Sequence, residues 1–151
     1  MIQYIQTAAQ LTILQNQLIE HRFDQPWLAL DTEFVRVENF YAKPGLLQLG
    51  WDSDIALLDL VTLPCAAFVH FFKQLLLLST AKDLNIVMHA PHEDLLLLNQ
   101  LGITLGDFID SNAKFIDSQW AAHYLGHTQS LSLFKLAKVL IPEMPALESF
   151  S

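Results

Sequence analysis

Asp31 and Glu33 lie one residue apart in "LALDTEF" (28–34), at the point where an apolar run breaks off. On an extended strand, residues two apart share a face with Cα atoms about 6.6 Å from each other, so these carboxylates project side by side. Two like charges so placed repel, and without a counter-charge at least one of them should be harder to ionise. A divalent cation relieves that repulsion. Mg²⁺ or Mn²⁺ favours such oxygen donors, and a pair of them about 3.5–4 Å apart can activate a water against a phosphodiester while steadying the leaving oxygen. The alternative is plain: the strand ends near Asp31 and both acids are solvated at a sheet edge.

Asp94, in "HAPHEDLLLL" (89–98), is the next candidate. With Pro91 near the first helical position, His92, Glu93 and Asp94 fall in a first turn, where the helix dipole favours acids whatever their function. The turn follows a buried strand, so Asp94 emerges at a strand's carboxyl end, the usual place for ligands in α/β sheets. Glu93 points elsewhere on the helix, toward solvent. His89 and His92 flank Pro91 and are candidates to touch substrate. Arg36, Tyr41 and Lys43 interleave basic and aromatic groups just after the first pair of acids, the combination that holds phosphates and stacks on bases of single strands, and Phe34 could stack or pack in the core. His123 and His127 have an i, i+4 spacing that would suit zinc, but Gly126 interrupts the helix between them and both read as packing or surface residues.

The elements that must position these groups follow from patterning. Leu11, Leu14 and Leu18 mark an amphipathic helix over 7–21 with Thr7 as its cap. "WLALDTEF", "GLLQLGWD" (45–52) and "DIALLDL" (54–60) predict a three-strand antiparallel meander. A helix over 64–80 opens at Pro64, and a strand at 84–90 feeds a helix from Pro91 closed by Gly102. A strand at Phe115 and Ile116 precedes a helix capped by Asp117 or Ser118 and ending near Gly126. A last helix spans 130–140, opened by Ser130 or Ser132. Asp110 is expected in a loop, "GDFIDSN", and Asp117 reads as a helix cap rather than a ligand. The class is α/β, a mixed sheet with helices on both faces.

Composition narrows the functions. The chain has 151 residues, 52% of them hydrophobic, and a mean hydropathy of +0.32, enough apolar material for one well-filled domain. No apolar run approaches the roughly 18 residues of a membrane span, and the N-terminal stretch lacks the layout of a secretion signal, so it is read as part of the fold and the chain as cytoplasmic. The lone Cys65 cannot form an internal disulfide and is expected to be a small buried hydrophobe. A net charge of −8 argues against non-specific attraction to nucleic acid, unless bound cations supply positive charge locally.

"LALDTEF", "GLLQL", "HAPHEDLLLL" and "IDSQWAAHYLG", in that order, resemble the catalytic domain of ribonuclease D, of the DEDD group of 3′–5′ exonucleases, from about Trp27 onward. The resemblance implies a ribonuclease-H-like fold and removal of nucleotides from single-stranded RNA 3′ ends, tRNA precursors among them, with two divalent cations, Mg²⁺ or Mn²⁺. It places Asp31 and Glu33 in the family's first motif and Asp94 in its second. Asp31 would bridge both cations, Glu33 would help hold one and Asp94 the other, partly through water. The family's third motif, Tyr-x-x-x-Asp or His-x-x-x-Asp, has no counterpart here, and "EMPALESFS" (143–151) is similar to the stretch before it. Residues 1–151 are therefore expected to be an exonuclease domain incomplete at its C-terminus, with little activity alone. A non-catalytic nucleic-acid-binding or structural module and a DNA-directed 3′–5′ exonuclease are the competing readings.

Overall fold

The computed structural model describes residues 1–36, 42–127, 129–141 and 143. Its elements run β1 (Ile2–Ile5), α1 (Ala8–Glu20), β2 (Trp27–Val35), β3 (Lys43–Trp51), β4 (Asp54–Asp59), α2 (Cys65–Ala81), β5 (Asn85–Met88), α3 (His92–Leu101), α4 (Leu105–Asp110), β6 (Lys114–Asp117), α5 (Ser118–Tyr124) and α6 (Leu133–Leu140). The strands form one six-stranded sheet in the order β1-β4-β3-β2-β5-β6. The predicted antiparallel meander is its middle, and β1, β5 and β6 join it in parallel pairings.

Burial alternates along the central strands and gives the sheet two unlike faces. Leu28, Leu30, Leu47, Leu49, Leu58 and Ile86 point into the core, where α1 contributes Leu11, Leu14 and Leu18 and α2 contributes Phe68, Phe71, Phe72, Leu75 and Leu76. The opposite face carries Ala29, Asp31, Gln48, Gly50 and Val87, partly covered by the start of α6 through Leu133. Asp31 thus stands on the more open face of the strand at the sheet's centre.

Local chemistry explains most element ends. Thr7 closes a capping box with Gln10, its hydroxyl accepting from the Gln10 N–H, and Gly102 takes φ +102° at the end of α3, a conformation that costs glycine little. Asp52 has φ +45° at the tip of the β3–β4 hairpin, where its carboxylate accepts from the Asp24 and Gln25 N–H groups and meets His21 Nε2 at 2.7 Å.

Three expectations need correction. Cys65 is exposed: it is the first residue of α2, and the helical rotation that turns Phe68, Phe71 and Phe72 inward leaves it outside. Asp110 ends α4 rather than lying in a loop; Thr104 and Asp107 form a capping box there, and Lys73 on α2 meets Asp107 at 2.8 Å. The sheet also has β1, a strand that the patterning did not separate from the start of the chain, because of its four residues only Ile5 is buried.

Candidate active site

Strand β2 outruns its neighbour on one side. It pairs with β5 through Ala29, but β5 ends at Met88 while β2 continues to Val35, which leaves the backbone of β2 beyond Ala29 without a strand partner on that side. Asp94, in the first turn of α3, fills the gap. One of its oxygens, Oδ1, accepts from the Thr32 N–H at 3.0 Å and from the Thr32 hydroxyl at 2.6 Å. Both residues are buried. Thr32 faces the core side, between two acids that face the open side, so one strand residue ties the second acidic motif to the first. The sequence reading gave Thr32 no role. A hydroxyl-bearing β-branched residue between two acids was the available signal, but its partner is 62 residues away.

On the open face, Asp31 and Glu33 project as the strand periodicity predicts. Gln48, the cross-strand partner of Asp31, donates from Nε2 to Glu33 Oε1 at 3.5 Å. Gly45 is needed beside Glu33: the β2–β3 register shifts between Glu33 and Phe34, and a Cβ at residue 45 would lie 2.9 Å from the Glu33 carbonyl oxygen. The Asp31 carboxyl is held above its ordinary value of 3.8, first because the surrounding protein strips water from it, then because Asp94 and Glu33 add negative charge. The Thr32 backbone N–H and His89 oppose that shift without cancelling it. Asp31 thus feels the negative charge of both Asp94 and Glu33, the adjacent-carboxylate effect that strand periodicity predicts.

His89 is fixed at both ring nitrogens. Nε2 lies 2.8 Å from the Leu131 carbonyl oxygen, which can only accept, so Nε2 carries the proton; Nδ1 lies 2.9 Å from the Ser118 hydroxyl. With Ala29, Gly50, Val87, Ser118 and Leu133, His89 lines a cavity of about 260 Å³ that reaches Asp31. Arg36 pairs with Glu93, which leaves Glu93 half exposed and away from the acids, and the Arg36 guanidinium lies 5.8 Å from the centre of the Phe34 ring. Lys43 is exposed at the start of β3, opposite Val35, and His92 is exposed at the start of α3. Tyr41 lies outside the described residues, as does the stretch 144–151.

Asp117 caps α5, its Oδ1 accepting from the Gln119 N–H at 2.8 Å, as the sequence suggested. His123 packs near the Trp120 ring, and His127 lies past Gly126, beyond the end of α5, so the two do not share a helix turn.

Asp31, Glu33 and Asp94 offer hard carboxylate oxygens, chemistry that fits Mg²⁺ or Mn²⁺ better than zinc. Their charges are close enough to perturb Asp31, and Asp94 Oδ2 has no protein partner among the described residues. They do not yet converge: among the described residues no three His, Cys, Asp or Glu side chains are arranged to hold a metal ion. Asp94 is turned to Thr32 and Glu33 to Gln48.

The family model for the 3′–5′ exonuclease matches residues 2–148, nearly the whole chain. The chain belongs to the 3′–5′ exonuclease family. This exonuclease domain is 36% identical over 129 residues to ribonuclease D of Pseudomonas paraeruginosa, a match that covers 84% of this chain and 31% of the relative. The domain spans about a third of the length of the curated relatives it matches. Its fold is that of Escherichia coli RNase D, described as an exoribonuclease involved in structured RNA processing (TM-score 0.68, 23% identity, 94% of this chain and 34% of that one). The GMP complex of Trypanosoma brucei RNase D shares it too (TM-score 0.73, 17% identity, 95% and 42%). The ribonuclease-H-like expectation for the fold is thereby met, and in sequence the exonuclease domain is ribonuclease D-like. Exonucleases of this group generally use divalent metal ions. No helix among the described residues is long and apolar enough to cross a membrane.

Proposed function

We propose that this chain is a 3′–5′ exoribonuclease domain and that its Asp31, Glu33 and Asp94 hold two divalent cations, Mg²⁺ or Mn²⁺, at the end of β2. The observation that carries this reading is the Asp94–Thr32 contact, which brings the carboxylate after β5 to the strand that bears the other two. Bound cations would supply the positive charge under which water attacks the terminal phosphodiester and the leaving oxygen is stabilised. Cation binding is expected to draw Glu33 from Gln48 and to engage the free Oδ2 of Asp94, with Thr32 keeping Oδ1 in place.

The chain's own residues also contribute to substrate binding. Arg36 and Lys43 offer phosphate contacts, and Phe34, beneath Arg36, offers a stacking surface. Tyr41 joins them on sequence grounds, and His92 stands exposed at the opening of α3. His89 walls the cavity beside Asp31 and would face the terminal nucleotide. RNA, rather than DNA, is supported by the ribonuclease D name of relatives at 36% identity, and tRNA precursors are the substrate class proposed first. A cytoplasmic setting suits such substrates and a lone, exposed thiol.

Among the described residues Asp31, Glu33 and Asp94 do not converge on one point, and Asp117 is a cap and Asp110 lies on α4, so turnover by this chain alone is expected to be slow. The test is a matched pair of 5′-labelled single-stranded RNA and DNA oligonucleotides, incubated with the chain and Mn²⁺. The proposal expects slow, stepwise shortening of the RNA from its 3′ end that Asp31→Asn abolishes. Equal cutting of DNA would favour the DNA-directed reading, and saturable RNA binding without any Asp31-dependent shortening would favour a non-catalytic module.

A further inference from the structure

The turn that delivers Asp94 is strained: Ser118 and the Leu131 carbonyl anchor its His89 ring, and the Asp117 carboxylate holds its left-handed residue, Ala90. Strand β5 ends at Met88 and α3 begins at His92, so the chain must reverse within residues 89–91. It does so at Ala90, which takes φ +49°, a left-handed conformation that its Cβ disfavours, immediately before the ring of Pro91. The His92 N–H closes the turn on the Ala90 carbonyl at 2.9 Å, and the Leu95 N–H donates to the Pro91 carbonyl at 2.9 Å to start the helix. From β6, Asp117 Oδ1 accepts the Ala90 N–H at 3.1 Å while accepting the Gln119 N–H at 2.8 Å.

We infer that Asp117 is a positioning residue for Asp94: its carboxylate pins the left-handed Ala90, which sets the angle at which α3 leaves the sheet and brings Asp94 against Thr32. Helix capping alone does not account for the second bond, because the Ala90 N–H belongs to another element and capping α5 does not require it. With an alanine here rather than a glycine, the left-handed turn needs contacts from outside it, and Asp117 supplies the one made to the Ala90 N–H. The Asp94–Thr32 bonds are the readout of that geometry, four residues along the chain from Ala90.

The inference rests on the proposed function only where it calls Asp94 a metal ligand, and its primary test needs neither metal nor RNA. Amide hydrogen exchange of the Thr32 N–H reports whether Asp94 is seated, while the Leu47 and Leu49 amides, in the interior strand β3, report global opening. In Asp117→Ala, Thr32 is expected to exchange about tenfold faster or more with Leu47 and Leu49 unchanged. Asp117→Asn keeps an accepting oxygen and should retain native protection. Ala90→Gly, which adopts the same φ without strain, should restore Thr32 protection when combined with Asp117→Ala. Native exchange at Thr32 in Asp117→Ala overturns the inference, as does a loss shared with Leu47 and Leu49 or a double variant no better than the single one. A second arm titrates each variant with Mn²⁺ alone: affinity should fall in Asp117→Ala and recover with Ala90→Gly. A native chain that binds no Mn²⁺ would sink the proposed metal site while leaving the exchange result to decide the role of Asp117.

Discussion

Thr32 gives both its backbone N–H and its hydroxyl to one oxygen of Asp94, at 3.0 and 2.6 Å, inside the protein. The contact does two things. It satisfies the edge of β2 that β5 leaves bare, and it presses a third carboxylate toward Asp31 and Glu33. Thr32→Val keeps the shape and the N–H bond but deletes the hydroxyl, leaving a buried carboxylate short of a donor. Stability should drop by about 1.5–3 kcal/mol, the range for hydrogen bonds to charged groups. Thr32→Ser should recover most of it. Denaturant unfolding of the three proteins checks both statements.

Removing a charge from the acidic cluster should have the opposite effect on the metal-free fold. The Asp31 carboxyl is raised chiefly by desolvation and then by Asp94 and Glu33. An acid whose folded value lies above its unfolded one costs stability once pH exceeds the unfolded value, and the full cost is present above the folded value. At neutral pH Asp31→Asn should therefore stabilise the metal-free chain, by the 0.2–1 kcal/mol order of exposed charge interactions. Thermal melts of the two chains in chelator at pH 7.5 and pH 4 would show the gain at the higher pH and its shrinkage at the lower.

Acid should loosen the other edge of the sheet. Asp59 accepts from the Tyr4 hydroxyl at 2.8 Å, from Gln6 and from the Val61 and Thr62 N–H groups, and its carboxyl is lowered to about 2, with the Tyr4 bond the largest cause. Asp52 is likewise lowered, chiefly by His21. Depressed folded values stabilise above the unfolded value near 3.8 and lose that contribution as pH falls toward about 2. The unfolding midpoint should fall between pH 4 and pH 2, with exchange protection of β1 lost first. Asp59→Asn should flatten that dependence.

Arg36 and Glu93 neutralise each other beside the proposed site, so a phosphate must compete with Glu93 for the guanidinium. Glu93→Gln should tighten binding of single-stranded RNA by about two- to fivefold, the worth of an exposed ion pair. Arg36→Ala should weaken it and lower the slope of log affinity against log salt by about 0.7, as for one lost contact to a single strand. Fluorescence anisotropy across a salt series separates the two effects.

How far the sequence reached depended on whether the causes were local. Thr7, Gly102, Asp117 and Ser132 act through neighbours a few residues away, and the helix ends they set were legible. That Asp31 and Glu33 share one face of β2 followed from strand periodicity, while their proposed metal role came from the family resemblance. Helix α4 was hidden because Leu105 and Ile109 are exposed and only Phe108 is buried, so no apolar stripe marks it. Strand β1 depends on pairing with β4, more than fifty residues away, which no local pattern displays. Thr32, Gln48 and the Asp117–Ala90 bond belong to the same class: each joins elements that are adjacent only after folding.

The proposed site requires that Asp31, Glu33 and Asp94 together take up divalent cations. Titration of the chain with Mn²⁺, followed by the paramagnetic resonance signal of the free ion, tests it without reference to turnover. Binding should be saturable, should raise the melting temperature, a ligand at one hundred times its Kd being worth about 2.7 kcal/mol, and should disappear in Asp31→Asn and Asp94→Asn. Absence of saturable binding, or binding undiminished in Asp31→Asn, would contradict it.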